Sequence, residues 1–336
     1  MSLAYLQQES TTPAPDALWN VAWLHSNNII SASADGHLRI YDSSSLTAPV
    51  HTIPSHPLAI SSLSVTADGT RALAASLDGT VVAIDTESGE ILGKVETASE
   101  AIGEDEFEVP AFACAIHPQG TSWAWAGRGS KIGLGSISSE ASSEGQGILS
   151  GPRSVVDVGK GKFCMDLQYS PDGRSLAVST EQGQIIVLDT ESQSIVASYN
   201  SHNKAVRTIT WSPDSQWLFS GSDDKLIVLY DVRAGSTNGA GGQGEGAVAT
   251  LPGHQSFVLK VAASPDGKLL GSVGADSLVK LWDISQRTCV STSSTNAEAW
   301  GISWQPADAG NLAPGKQFAV AGDDKVVTIY RAAGAV

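Results

Sequence analysis

Apolar and polar residues alternate with a period of two in short runs along the whole chain, and each run ends in a turn. Val206-Arg207-Thr208-Ile209-Thr210-Trp211 leads into Ser212-Pro213-Asp214. Trp217-Leu218-Phe219-Ser220-Gly221-Ser222 leads into Asp223-Asp224-Lys225, and Leu226 to Asp231 closes the unit. Side chains of a strand point alternately to its two faces, so this pattern predicts half-buried strands. The unit recurs. Its third strands end at Tyr41-Asp42, Ile84-Asp85, Leu134-Gly135, Leu188-Asp189, Tyr230-Asp231, Trp282-Asp283 and Tyr330-Arg331, which makes seven copies. The turn between the first two strands repeats as Thr66-Ala67-Asp68-Gly69, His117-Pro118-Gln119-Gly120, Ser170-Pro171-Asp172-Gly173 and Ser264-Pro265-Asp266-Gly267. Glycine in the last place tolerates positive φ.

Seven such units predict one all-β domain over residues 1–336, with approximate repeats at 18–53, 58–95, 109–137, 160–200, 204–252, 256–293 and 298–331. Each sheet needs a fourth, outer strand. Only five residues follow Tyr330-Arg331, whereas Leu3 to Gln8 has strand character ahead of the first repeat. Residues 3–8 are therefore expected to supply the outer strand of the seventh unit and close a ring, which removes open sheet edges. Four stretches break the pattern: Glu96 to Glu108, Ser138 to Ser150, Ala234 to Ala247 and Gln305 to Gly315. Their composition reads as exposed loops that bury no core of their own. The glycines of 234–247 lack the Gly-Lys-Ser/Thr ending of a phosphate-binding loop.

Charge narrows the function. The chain carries a net charge of −15, which opposes direct binding to nucleic acid or to an anionic membrane. The three cysteines, Cys114, Cys164 and Cys289, show no disulfide or zinc spacing. The start of the chain lacks the basic and apolar segments of a signal peptide, and the expected setting is intracellular. None of the seven histidines has ligand spacing, and no carboxylate pair stands out. The expectation is no enzyme, no metal and no cofactor.

Alignment of the seven first strands on their central apolar residue (Val21, Leu63, Cys114, Leu167, Ile209, Val261, Ile302) exposes two columns. Three residues earlier stand Leu18, Ile60, Ala111, Cys164, Val206, Val258 and Ala299, small or apolar throughout and expected in the core. Two residues earlier stand Trp19, Ser61, Phe112, Met165, Arg207, Leu259 and Trp300. This second column tolerates Ser and Arg, so it is expected to ring a central channel mouth. Trp19, Phe112, Met165, Arg207, Leu259 and Trp300 are residue types of interface hot spots and are the candidate partner-binding residues.

Blade six, with Gly253-His254, Ser272, Asp276 and Trp282-Asp283, resembles the WD-repeat family most fully. The resemblance implies a seven-bladed WD40 β-propeller in which His, Ser, Asp and Trp form a hydrogen-bonded lock rather than a hydrolase triad. Arg128-Gly129-Ser130 and Gln182-Gly183 replace the turn Asp in blades three and four, which are expected to rely on packing. Leu18-Trp19-Asn20-Val21-Ala22-Trp23, Gly161-Lys162-Phe163, Val258-Leu259-Lys260-Val261, Arg287-Thr288-Cys289-Val290, Trp300-Gly301 and Gly322-Asp323-Asp324 resemble the WD-repeat subunit of the superkiller (Ski) complex. That resemblance implies a scaffold beside a tetratricopeptide-repeat subunit and an RNA helicase subunit. Such assemblies support 3′-to-5′ cytoplasmic mRNA decay by the exosome. In fungal relatives the subunit also works in the nucleus with a meiotic topoisomerase-like protein. It implies cytoplasmic and nuclear localisation and partner segments of Gln-Arg-x-x-hydrophobic pattern, their Arg stacked on Trp19 or Trp300 near Asp16 or Glu298. The alternative is a WD-repeat adaptor of another class, a ubiquitin-ligase substrate receptor or a subunit of a chromatin or transcription complex.

Overall fold

The computed structural model describes residues 4–97, 111–142, 147–150, 154–159, 162–235 and 246–335. They build seven antiparallel sheets, and the chain is a seven-bladed β-propeller. Blade five is typical: Val206–Trp211 lies innermost, followed by Trp217–Ser222, Leu226–Asp231 and, outermost, Ala247–Pro252. Most of the stretches 96–108 and 234–247 lies outside the described residues.

The ring closes through the N-terminal segment. Tyr5–Ser10 pairs with Val327–Ala332, placing Leu6 opposite Arg331 and Gln7 opposite Tyr330. The pairing continues beyond the strand, since Thr11 N–H donates to Val327 O at 3.0 Å and Ala14 N–H to Lys325 O at 2.8 Å. Tyr5 is buried against Trp304 and Phe318, and its hydroxyl donates to Gly315 O at 2.5 Å.

A propeller has no single core. Seven apolar clusters each lie between two neighbouring blades. One joins Leu18, Trp23 and Tyr41 of blade one to Ala319 and Ile329 of blade seven. The column three residues before each central position is buried in every blade, as expected. Side chains of the innermost strands also staple neighbours together. Ile209 N–H donates to Asp166 Oδ2 at 3.1 Å, Cys114 N–H to Ser62 Oγ at 3.1 Å, and Val261 N–H to Thr208 Oγ1 at 3.3 Å. Two residues further along, Trp211, Ile116 and Trp23 donate in the same way to Gln168, Ser64 and Ser303.

The lock of blade six is complete. Trp282 Nε1–H donates to Ser272 Oγ at 2.8 Å, Ser272 O–H donates to His254 Nε2 at 2.8 Å, and His254 Nδ1–H donates to Asp276 at 2.9 Å. This order makes the imidazole neutral. Burial pushes the His254 pKa down, and the Asp276 carboxylate only partly offsets it. Blade five repeats the relay through Ser220, His202 and Asp224. Ser272→Ala strands a buried donor and a buried acceptor, each costing about 1–3 kcal/mol. The variant should lose about 2–4 kcal/mol in denaturant titration, whereas the exposed Ser285→Ala should lose well under about 1 kcal/mol. The histidines also set an acid limit. Burial lowers the pKa of His202 and His254, and that of His56 to about 4, below the ordinary 6.5. A neutral buried imidazole contributes its full stability above pH about 6.5, and the contribution falls as pH drops toward 4 because the unfolded chain binds the proton more tightly. The melting temperature should fall across that window.

Blade three departs from expectation twice. Its third strand, Lys131–Ser142, pairs Trp123 with Gly135 and Trp125 with Gly133. Tyr41 of blade one therefore corresponds to Gly135, not to Leu134, and the sequence register of that strand is one residue out. The aromatic has moved to the second strand. Trp123 and Trp125 stack at 4.3 Å over the two glycines, fully buried, and Trp123 Nε1–H donates to Ser150 O at 3.1 Å. Nor is 138–150 a plain loop. The third strand runs on to Ser142 and is met again by Gly147–Leu149, with Ser142 opposite Gly147 and Ile137 opposite Leu149. Ile148 and Leu149 join the cluster between blades two and three, so this ribbon does bury apolar surface.

Candidate functional site

The first strand of every blade carries a β-bulge at the same place. In blade one Leu18 faces Ser33 and Asn20 faces Ala32, so Trp19 is the extra residue. The corresponding register shifts put Ser61, Phe112, Met165, Arg207, Leu259 and Trp300 at the other six bulges. A bulge leaves one residue unpaired and re-aims its side chain. Here it turns seven side chains toward the channel mouth while the next residue (Asn20, Ser62, Ala113, Asp166, Thr208, Lys260 or Gly301) follows on the strand.

All seven bulge residues line one pocket of about 220 Å³, together with Asn20, Ser62, Leu77, Asp166 and Lys260. Six of the seven are half-buried, and Leu259 is nearly covered at 6 % exposure. Trp19 and Trp300 form one wall, their rings 6.2 Å apart and tilted by 38°. Trp300 Nε1–H donates to Asp323 Oδ1 at 2.9 Å, which fixes that indole. Across the mouth Phe112 meets Phe163 edge-on at 4.9 Å. Ser61 turns its hydroxyl inward to Phe112 O at 2.6 Å and serves as a spacer between blades. Arg207 is not free. It forks onto Asp223 through Nε and Nη2, and its guanidinium carbon lies 5.5 Å from the centre of the Phe257 ring.

The floor is an ion pair across the channel. Lys260 Nζ of blade six lies 3.3 Å from Asp166 Oδ2 of blade four, and both residues also line the pocket at the opposite mouth. Asp16, expected beside Trp19, accepts the neighbouring Ala17 N–H at 2.8 Å. Leu77, Phe163, Phe257 and Asp323 extend the site beyond the column. Phe163 and Phe257 stand directly before the first strands of blades four and six, and Leu77 and Asp323 directly after the second strands of blades two and seven, so they occupy two repeat positions outside the aligned columns; Asp323 belongs to the Gly322-Asp323-Asp324 motif. Cys114 and Cys164 are buried, and burial pushes both thiols up to about 12, which leaves them unreactive. The arrangement is a shallow pocket with aromatic walls, a bound arginine and a neutralised floor, suited to holding a side chain rather than to moving protons.

The model of the WD domain, G-beta repeat, matches residues 7–42, 47–85, 193–231 and 246–283, so the propeller contains WD40 repeats. Among curated relatives, protein hir1 of Emericella nidulans is 29% identical over 181 residues, covering 48% of this chain and 17% of the relative. WD repeat-containing protein SL1-17 of Schistosoma mansoni is 27% identical over 226 residues, covering 66% of this chain and 68% of the relative. Echinoderm microtubule-associated protein-like 3 of Homo sapiens is 32% identical over 130 residues, covering 39% and 14%. The chain thus spans well under a fifth of the hir1 protein.

Proposed function

We propose that this WD40 propeller is a non-catalytic adaptor that grips a partner segment in the bulge-lined mouth, as the scaffold subunit of a Ski-like complex. The observation that carries the adaptor reading is the convergence of seven equivalent bulge side chains, five of them apolar, on one solvent-open pocket. A half-exposed indole pair in a protein of net charge −15 is a large apolar surface for water to face. The finer assignment rests on the Ski-like motifs, of which Val258-Leu259-Lys260-Val261 and Trp300-Gly301 lie at the pocket itself. Its partners are a tetratricopeptide-repeat subunit and an RNA helicase subunit. Its work is support of 3′-to-5′ mRNA decay, with a meiotic role in the nucleus beside a topoisomerase-like protein. The similarity to hir1 proteins over about half the chain keeps an adaptor of another class as the second reading.

Co-purification from native extract separates the two. Recovery of a helicase with a tetratricopeptide protein supports the first, and recovery of ligase or chromatin machinery in its place overturns it. The pocket is tested separately. Trp300→Ala and Trp19→Ala should each cost about 2 kcal/mol of binding, roughly thirtyfold, to a peptide of Gln-Arg-x-x-hydrophobic pattern. Melting should barely move, because neither indole is fully buried. Unchanged affinity would place the interface elsewhere.

A further inference from the structure

The channel has a second mouth, where the first strand of each blade turns into the second. Its pocket, about 400 Å³, is larger than the first. Val65, Pro118, Pro171 and Pro306 contribute apolar surface to it, and each is half-buried or exposed. Three exposed carboxylates flank this apolar opening. Asp68 stands between Ala67 and Gly69, Asp172 follows Pro171, and Asp308 pairs with His25 at 3.2 Å; Ala67, Gly69, Pro171 and His25 all line the pocket. The turns are rigid. Burial of Asp68 is outweighed by hydrogen bonds from Thr66 and Thr70, which hold its carboxyl below the usual range and keep it ionised. Neighbouring turns dock on one another, with Ala67 N–H donating to Pro118 O at 3.0 Å and Asp172 N–H to Ser215 Oγ at 3.1 Å. Cations of the same turns include Arg174 and Lys268, and Lys268 lies 3.6 Å from Asp266. Farther out the acidic character continues through Asp42, Asp85 and Asp189, each held below the usual carboxylate range by hydrogen bonds from its own turn.

We propose that this second mouth docks a cationic peptide segment of a partner, with one apolar side chain in the pocket and flanking Lys or Arg residues over Asp68, Asp172 and Asp308. The two mouths lie at opposite ends of the channel, separated by the Lys260–Asp166 pair, so both can be occupied at once. The propeller then bridges two partner segments. This goes beyond the adaptor reading and does not depend on its Ski-like assignment. Charge complementarity selects the occupant: an acidic or neutral segment gains nothing from the carboxylates and meets their repulsion or desolvation.

The experiment is fluorescence anisotropy with the labelled peptide Lys-Arg-Leu-Arg-Lys on the whole chain at low and physiological salt. Saturable binding that weakens as salt rises is expected, because exposed charges are screened. Ala67→Arg and Asp308→Lys place a cation at the rim on exposed positions and should weaken binding by about tenfold or more with unchanged melting. Trp300→Ala should leave it unchanged. The inference is overturned if no saturation is reached, if the Glu-for-Lys/Arg peptide binds equally well, or if Trp300→Ala abolishes binding while Ala67→Arg does not. The Trp300 readout keeps this result separate from the fate of the first mouth.

Discussion

Deletion of residues 1–10 is expected to cost more stability than any point change at the rim of the propeller. The deletion removes the whole outer strand of blade seven and with it Tyr5, which packs on Trp304 and Phe318. Loss of one buried aromatic costs about 3–5 kcal/mol. The strand pairing with Val327–Ala332 and the Ser10 Oγ–Thr328 Oγ1 hydrogen bond at 2.9 Å go as well. At about 1–2 °C per kcal/mol for a chain of this size, the melting midpoint should fall by about 5–10 °C. The newly open edge of Val327–Ala332 should also pair with other molecules, so light scattering should rise with concentration. A peptide of residues 1–14 added in trans should bind and restore part of the midpoint. An unchanged midpoint would mean that blade seven holds without its fourth strand.

That closure was legible in the sequence because it follows from counting strands. So was the core. Leu18, Ile60, Ala111, Cys164, Val206, Val258 and Ala299 repeat at one position, and burial is a constraint that each blade must satisfy alone. The position of the second column at the channel mouth was also legible, but the bulge that aims it there was not. Strand alternation alone would send Trp19 and its equivalents to the face opposite Leu18. The structure uses a bulge, which alternation does not encode, to bring them to the mouth. Phe163 and Phe257 share one repeat position, directly before a first strand, and Leu77, Asp223 and Asp323 share another, directly after a second strand; both were open to the same alignment, which stopped at the two columns inside the strand. The ribbon at 138–150 was misread because Ser, Gly and Glu dominate its composition. Its signal was the apolar bracket of Ile137 and Ile148-Leu149, which can pair only if the chain doubles back.

Blade three shows how a one-residue error arises, and it predicts a rescue. In most blades an aromatic or large aliphatic residue at the end of the third strand faces the preceding blade, as Tyr41 does opposite Ile29. In blade three that position is Gly135, opposite Trp123, and the next position on the same face is Gly133, opposite Trp125. A Cβ on Gly133 would lie 2.2 Å from the Trp125 ring, and one on Gly135 would lie 2.3 Å from Trp123 Nε1. These separations are far inside van der Waals contact, so a side chain at either glycine must expel an indole that is fully buried. Gly133→Val and Gly135→Tyr should each lose about 3–5 kcal/mol, the cost of displacing a core aromatic. Gly267→Ala is the control: nothing lies within 4 Å of a Cβ placed there, and only the strain of its φ of +68° is felt, which costs about 1 kcal/mol. The rescue is the double variant Trp123→Ile with Gly135→Tyr, which rebuilds the Ile29–Tyr41 pairing of blade one. Trp123→Ile alone leaves a cavity over Gly135 and Gly135→Tyr alone overfills the same space, so the double variant should be more stable than the sum of the singles by about 2–3 kcal/mol. Additive losses in denaturant titration would mean that Trp123 does not fill the place of the missing third-strand aromatic. A large coupling would show that the aromatic has only changed strands, because what the fold requires at the boundary of blades two and three is volume on that face and not a residue at one position.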